Sequence, residues 1–373
     1  MSGPSPTGPT TARPSSPVPP AGPEGGGRVP VGTPIEQTDH ADEADRADPA
    51  NRAARADSPR AEALFHALVD QVNTVLYAQD ANVRLAVGTF VARGHLLIED
   101  LPGLGKTTLA TALARSFGLG FRRVQCTADL LPSDITGAMV FDTKTSAPVF
   151  RKGPIFTNVL MADELNRASA RTQSALLESM EEHQVTVDGH AEALPVPFVV
   201  VATQNPHDAA GTSPLPHGQR DRFLIRLSMG YPDRAAEDAL LAGRDPADSV
   251  KSLPAAVSVA ELAELMGAVE AVAVSPAARG YLLDLVAATR AHPSVSVGAS
   301  PRAARALMRM CRSMAVSQGR SYVVPDDARS VAVAVLSHRL ILDPRSQLTG
   351  TDAVEVVREV LDTTPVPLVD AHG

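Results

Sequence analysis

The sequence predicts an α/β fold, a parallel sheet with helices on both faces, followed by a smaller all-α domain. Three observations carry that expectation. Short apolar runs at 95–98, 121–126, 158–162 and 198–202, with a weaker one at 223–227, read as buried strands. Helical patterns separate several of them, and strands alternating with helices imply parallel pairing with helices on both faces. Beyond Tyr231-Pro232, residues 234–364 are helical in pattern and punctuated by Pro and Gly, which sets them apart as a second domain.

The first 58 residues differ from the rest of the chain. They are rich in Pro, Gly, Ser, Thr, Ala and Asp, and the first aromatic residue of the chain is Phe65. Such a stretch buries too little apolar surface to offset its ordering entropy, so 1–58 is expected to be a disordered tail. Its Ala/Asp/Arg-rich part, 40–60, leans towards transient helix. Folded sequence is expected from near Arg60, where Leu64, Phe65, Leu68, Val72 and Val75 recur at helical spacing. A second helix is expected over 81–91. This divides the chain into a tail, 1–58, an α/β domain, 59–232, and an all-α domain, 233–373.

Composition narrows the function. Apolar residues make up 44% of the 373, enough for a sizeable core, but aromatics are 3% and Trp is absent, so Ala, Val and Leu must do most of the packing. A net charge of −8 disfavours a dedicated nucleic-acid binder, which carries a basic footprint. Cys126 and Cys311 form no CxxC pair, so neither a zinc site nor a disulfide framework is indicated. His183, His190, His207 and His217 cluster at no ligand spacing. No apolar run reaches the ~18–20 residues of a membrane span, and no charged and then apolar leader opens the chain. The expected location is the cytoplasm.

The chemistry begins at Ile98-Glu99-Asp100-Leu101-Pro102-Gly103-Leu104-Gly105-Lys106-Thr107-Thr108, between a strand and a helix expected over 106–117. That context is what a phosphate-binding loop requires. Gly103 and Gly105 let backbone N–H groups curl around phosphate oxygens. The helix start points its positive dipole end at them. Lys106 can reach the β- and γ-phosphates, and the Thr107 hydroxyl is placed to ligate Mg²⁺. Pro102, Leu104 and Thr108 complete the loop. ATP and Mg²⁺ are the cofactors this predicts. The strict pattern begins with Gly where this chain has Asp100.

Two further strand ends carry polar groups. Val159-Leu160-Met161-Ala162 delivers Asp163 and Glu164 about 55 residues after the loop. Ligands bind at the C-terminal ends of parallel strands. Asp163 would hold Mg²⁺ and Glu164 would act as general base on the attacking water. The strand ending Ala202-Thr203-Gln204-Asn205-Pro206 offers Asn205 to orient that water.

From about residue 61 onward the chain resembles the MoxR group of AAA+ ATPases. The resemblance rests on the phosphate loop and on Asp129-Leu130-Leu131-Pro132-Ser133-Asp134, Gly153-Pro154-Ile155-Phe156, Ala162-Asp163-Glu164-Leu165-Asn166-Arg167-Ala168, Thr172-Gln173-Ser174-Ala175-Leu176-Leu177-Glu178, Gln184-Val185-Thr186-Val187-Asp188-Gly189, Asp221-Arg222-Phe223, Gly298-Ala299-Ser300-Pro301-Arg302-Ala303 and Pro325-Asp326-Asp327-Ala328. Such loops often read Glu-Asp-x-Pro-Gly, which accounts for Asp100. The resemblance implies that 59–232 is an AAA+ core and 233–373 its helical lid. It implies that Asp163 and Glu164 are Walker B, Asn205 is sensor 1, and Arg302 is the lid's sensor 2 arginine. Arg222 is implied as the arginine finger that enters a neighbouring subunit's site. His217 and Arg220 depart from the family pattern, and Arg220 competes with Arg222 for that role.

The same resemblance implies a homo-oligomeric ring, a hexamer in the family, that remodels, matures or assembles client proteins. A von Willebrand factor A domain protein is implied as partner. Two expected hairpins, 139–151 with a Lys144-Thr145-Ser146 turn and 184–197 with an Asp188-Gly189 turn, resemble insertions that face the ring's pore. The alternatives are a nucleic-acid-dependent motor, a chelatase-type motor subunit and a non-hydrolysing nucleotide switch. DNA-stimulated turnover, stimulation by a tetrapyrrole-binding partner, and ATP binding without turnover would respectively favour them.

Overall fold

The computed structural model describes residues 49–76, 79–144, 146–206, 212–243 and 246–367, with side chains from residue 58 onward. The predicted tail up to residue 48, together with Thr145 and His207, lies outside the described residues. The chain enters through α1 (Pro49–Asn73) and α2 (Asp80–Val91). Helix α1 therefore begins inside the stretch assigned to the tail. The run from Ala50 to Ala56 is dominated by Ala and Arg, strong helix formers, and the helix they start continues into an apolar face, Phe65, Leu68, Val69 and Val72, that is fully buried.

A five-stranded parallel sheet comes next, built from β1 (Leu96–Glu99), β2 (Phe121–Gln125), β5 (Val159–Asp163), β8 (Val199–Gln204) and β9 (Ile225–Leu227) in the order β2-β5-β8-β1-β9. The antiparallel hairpins β3 (Gly137–Asp142) with β4 (Ala147–Lys152) and β6 (Gln184–Val187) with β7 (His190–Ala193) stand outside it. All five predicted strands are present within a residue or two of their expected limits. Alternation in β1, β5 and β8 explains their unbroken apolar character. Leu96, Ile98, Val159, Met161, Val199 and Val201 enter one core, and Leu97, Leu160, Ala162, Val200 and Ala202 the other. Strands buried on both faces have no polar side to show.

Helices α3 (Lys106–Ser116), α4 (Pro132–Thr136) and α5 (Ala170–Glu182) cover the sheet, and the short α6 (His217–Arg220) leads into β9. After β9 the chain is almost wholly helical. It runs through α7 (Arg234–Leu241), α8 (Pro246–Ser249), α9 (Val259–Ala271), α10 (Pro276–Ala291), α11 (Pro301–Val316), α12 (Pro325–Leu336), α13 (Pro344–Leu348) and α14 (Ala353–Thr363). Side chains cap most of these helices. Ser258, Ser275, Ser300 and Asp352 each accept an amide of the first turn, typically worth about 1 kcal/mol. Gly88 lets α2 and α11 approach, since a Cβ there would sit 2.5 Å from the Met314 methyl. One continuous apolar core joins the sheet, α1, α2 and the C-terminal helices. Cys126 and Cys311 are buried thiols, and burial pushes Cys126 up to about 12. No described helix is long and apolar enough to cross a membrane.

His95 immediately precedes β1 and is buried. Its Nδ1 accepts the Val200 amide at 3.0 Å and its Nε2 lies 3.2 Å from the Met180 carbonyl oxygen, the pattern of a neutral imidazole. Burial pushes its pKa from 6.5 down to about 4. The unfolded chain then takes up a proton near pH 6.5 that the folded chain refuses until near pH 4, so stability falls as pH drops through that window. The loss expected from this residue is on the order of 3 kcal/mol. Denaturant melts at pH 7 and pH 4.5 should show His95→Gln losing less stability than wild type over that interval, and equal losses would contradict the assignment.

Candidate functional site

The loop between β1 and α3 is shaped by its glycines. Gly103 and Gly105 both have φ +83°, a backbone region that side chains disfavour, and the second caps α3. Lys106, first residue of α3, donates from Nζ to the Asp100 and Leu101 carbonyl oxygens at 2.5 and 2.7 Å. Partial burial lowers its pKa, against the carboxylates of Asp100, Asp163 and Glu164, which pull it up. Asp100 has a structural task of its own. Its carboxylate accepts the Leu101 amide at 3.0 Å, the Ser228 hydroxyl at 3.1 Å and the Gly230 amide at 2.8 Å. Gln79 and Asn82 grip the same segment from α2's end, donating to the Met229 and Ser228 carbonyl oxygens. The phosphate loop is thus tied to the segment that leaves the sheet for α7.

Both acidic residues of the β5 end face this loop across a cavity of about 490 Å³, a volume suited to a small-molecule ligand. Pro102 to Thr108, Asp163, Glu164, Thr203, Gln204 and Asn205 line its polar walls, while Val75, Leu76, Met229, Pro232, Ala236 and Leu240 line apolar ones. Asp163 accepts the Thr203 hydroxyl at 2.5 Å and is paired with Arg123 of β2 at 2.5 Å. Glu164 sits at φ +55°, unusual for a side-chain-bearing residue, and its amide donates to Thr203 Oγ1 at 2.9 Å. Its carboxylate receives Gln125 at 3.2 Å and Arg167 at 3.0 Å. Gln204, which lines this cavity, carries a buried amide nitrogen without a hydrogen-bond partner. An orphaned donor beside a lysine and a glycine cradle fits an anionic ligand.

Thr107 and Asp163 line the same cavity. A hydroxyl and a carboxylate are hard oxygen donors of the kind Mg²⁺ takes alongside water and phosphate. The residues present therefore fit the cation.

Arg222 and Arg302 are not in this cavity. They line a second one, of about 550 Å³, together with Arg93, Arg305, Arg309 and Arg339. There both guanidiniums engage one carboxylate of α5, Arg222 on Glu181 Oε2 at 3.0 Å and Arg302 on Glu181 Oε1. Arg220 is not among the lining residues. Sequence reasoning missed Arg123, Gln125 and Thr203, which neighbour the catalytic candidates only through strand pairing. It also missed Arg339, whose sole signal was a cation within an apolar stretch.

A parallel sheet with a glycine loop at the end of one strand, paired carboxylates at the end of a second and polar amides at the end of a third defines a P-loop ATPase core with a helical lid. Comparison with known proteins agrees. A family model described as "ATPase family associated with various cellular activities (AAA)" matches residues 95–225, and an AAA lid domain model matches residues 287–360. Uncharacterized protein YeaC of Bacillus subtilis is 42% identical over 80% of this chain and 94% of its own. Chaperone MoxR1 of Mycobacterium tuberculosis is 36% identical over 81% of this chain and 82% of its own. A crystal structure from Cytophaga hutchinsonii superposes with a TM-score of 0.78 at 34% identity, covering 85% of this chain and 98% of its own. The chain belongs to the MoxR family of AAA+ ATPases.

Proposed function

We propose that this protein hydrolyses ATP to ADP and phosphate with Mg²⁺, as a ring in which each site is completed by arginines of the next subunit. One observation carries the reading. Arg222 and Arg302 converge on a single anion in a cavity separate from the phosphate loop, so they are presented to something outside their own site. Among the described residues, the arginine that lines the phosphate cavity is Arg123, and it is engaged by Asp163. A head-to-tail interface that closes into a ring would bring one subunit's arginines to its neighbour's nucleotide.

In this reading the loop amides of Gly103 to Thr108 and the Lys106 ammonium hold the phosphates, and the apolar walls receive the base. Lys106 exchanges its two carbonyl partners for phosphate oxygens. Thr107 and Asp163 would hold Mg²⁺, which would neutralise charge on the phosphates. Glu164 takes the proton of the attacking water, and Asn205, with Gln204 beside it, orients that water. Arg222 and Arg302 stabilise charge on the transferring phosphoryl group from across the interface.

Turnover would drive remodelling or assembly of partner proteins, with a client and a von Willebrand factor A domain protein as the expected partners. The relative named as a chaperone supports this, as does the β3–β4 hairpin, which exposes Val140, Phe141 and Val149. Exposed apolar side chains on a hairpin outside the main sheet suit contact with unfolded segments. The test is ATP turnover per subunit against protein concentration at fixed Mg²⁺. Turnover should rise steeply with assembly. A constant value for a protein that stays monomeric with ATP would defeat the ring.

A further inference from the structure

Arg222 and Arg302 come from distant parts of the chain, yet they meet on one carboxylate. Arg222 lies in the turn before β9, and Arg302 is the second residue of α11. What brings them together is Asp221. One of its carboxylate oxygens accepts Arg339 Nε at 2.6 Å, and the other accepts the Ser300 hydroxyl at 2.9 Å. Ser300 in turn caps α11, accepting the Ala303 amide at 3.2 Å.

Arg339 is 2% exposed and uses its guanidinium fork on the turn that carries Arg222. It donates to the carbonyl oxygens of Asp221 at 3.1 Å, Phe223 at 2.5 Å and Leu224 at 3.0 Å, and also to that of Val335. His338 adds a contact to the Phe223 carbonyl oxygen at 3.3 Å. A buried ion pair is a poor source of stability, because desolvation consumes most of the attraction. What its fixed geometry supplies is direction.

We propose that Asp221, Arg339 and Ser300 are positioning residues, a lid-to-core clamp that aims Arg222 and Arg302 as one unit at the neighbouring subunit's nucleotide. The inference rests on the arginines acting between subunits. The two oxygens of Glu181 divide between the two guanidiniums, which shows that the pair can hold a single oxyanion between them. Loosening the clamp leaves both arginines present but misaimed.

The test uses the full-length chain. Asp221→Asn removes the charge that both partners meet. Ser300→Asp keeps a good helix cap while setting a second carboxylate against Asp221. Each variant alone should bind ATP with wild-type Kd and lose about 10²-fold in kcat, the scale of a small misplacement. Each is then co-expressed with Glu164→Gln, which keeps intact arginines in a subunit with a disabled site of its own. In mixed rings about a quarter of interfaces pair an intact site with intact arginines, so activity should return towards that fraction. A defect confined to the variant's own fold gains nothing from such a neighbour.

Arg222→Ala with Glu164→Gln is the reference mixture. Recovery there without recovery for Asp221→Asn or Ser300→Asp would overturn the clamp and leave the shared site standing. Absence of recovery in the reference mixture would remove the shared site and the clamp with it. Wild-type kcat in both single variants would overturn the clamp. Should Asp221→Asn lose ATP binding, Ser300→Asp decides alone, and loss of binding in both would assign these residues to the subunit's own fold.

Discussion

Arg222→Ala should lower ATP turnover by about 10³-fold or more while leaving the nucleotide affinity of the subunit unchanged. The size reflects where charge accumulates. On the proposed reading, phosphoryl transfer spreads negative charge over oxygens held by the loop amides and Lys106, and an arginine delivered late would act on the transition state rather than on the bound nucleotide. The separation of effects comes from the structure, because Arg222 lies outside the phosphate cavity and pairs with Glu181 at 3.0 Å. Arg220→Ala is the internal comparison. Arg220 lies outside the arginine-lined cavity, and its loss should change turnover little. Steady-state rates and a fluorescent-nucleotide titration on the same preparations separate the two quantities. Parallel losses of affinity and rate in Arg222→Ala would place this arginine in the subunit's own site.

Glu164→Gln should reduce turnover by about 10²- to 10⁴-fold, the range of a general base, and trap ATP unhydrolysed. Gln nearly matches Glu in shape, so the contacts with Gln125 and the strained turn at φ +55° can persist while the proton acceptor is lost. Arg167 loses one charged contact, at 3.0 Å, a partly exposed pair of small energetic weight. Quench-flow of bound ATP should show a missing chemical step with nucleotide binding retained. Residual turnover within a factor of two of wild type would move the base elsewhere in the cavity.

What could be read from sequence was whatever chemistry is local in the chain. The phosphate loop was legible because its glycines, lysine and threonine are contiguous and flanked by a strand and a helix. Asp163 and Glu164 were legible because an apolar run long enough for a buried strand ends on them. The strand order was not, since β1 pairs with β8 and β9 across more than a hundred residues and no local pattern encodes that choice. The meeting of Arg222 and Arg302 was hidden for the same reason, and so was Arg339, whose partner Asp221 lies 118 residues away. The start of α1 at Pro49 was obscured by composition, because an Ala- and Arg-rich stretch looks alike in a tail and at the head of an amphipathic helix.

Asp100 stands where the strict loop pattern has glycine, and its carboxylate fastens the phosphate cradle to Ser228 and Gly230. Those residues lead directly to Pro232, Ala236 and Leu240, which line the apolar walls of the same cavity. Asp100 therefore ties the phosphate end directly to the segment that leads into α7, by one side chain and without passing through the sheet. The fastening between cradle and outgoing segment is made by a residue that a strict motif search would score as a mismatch.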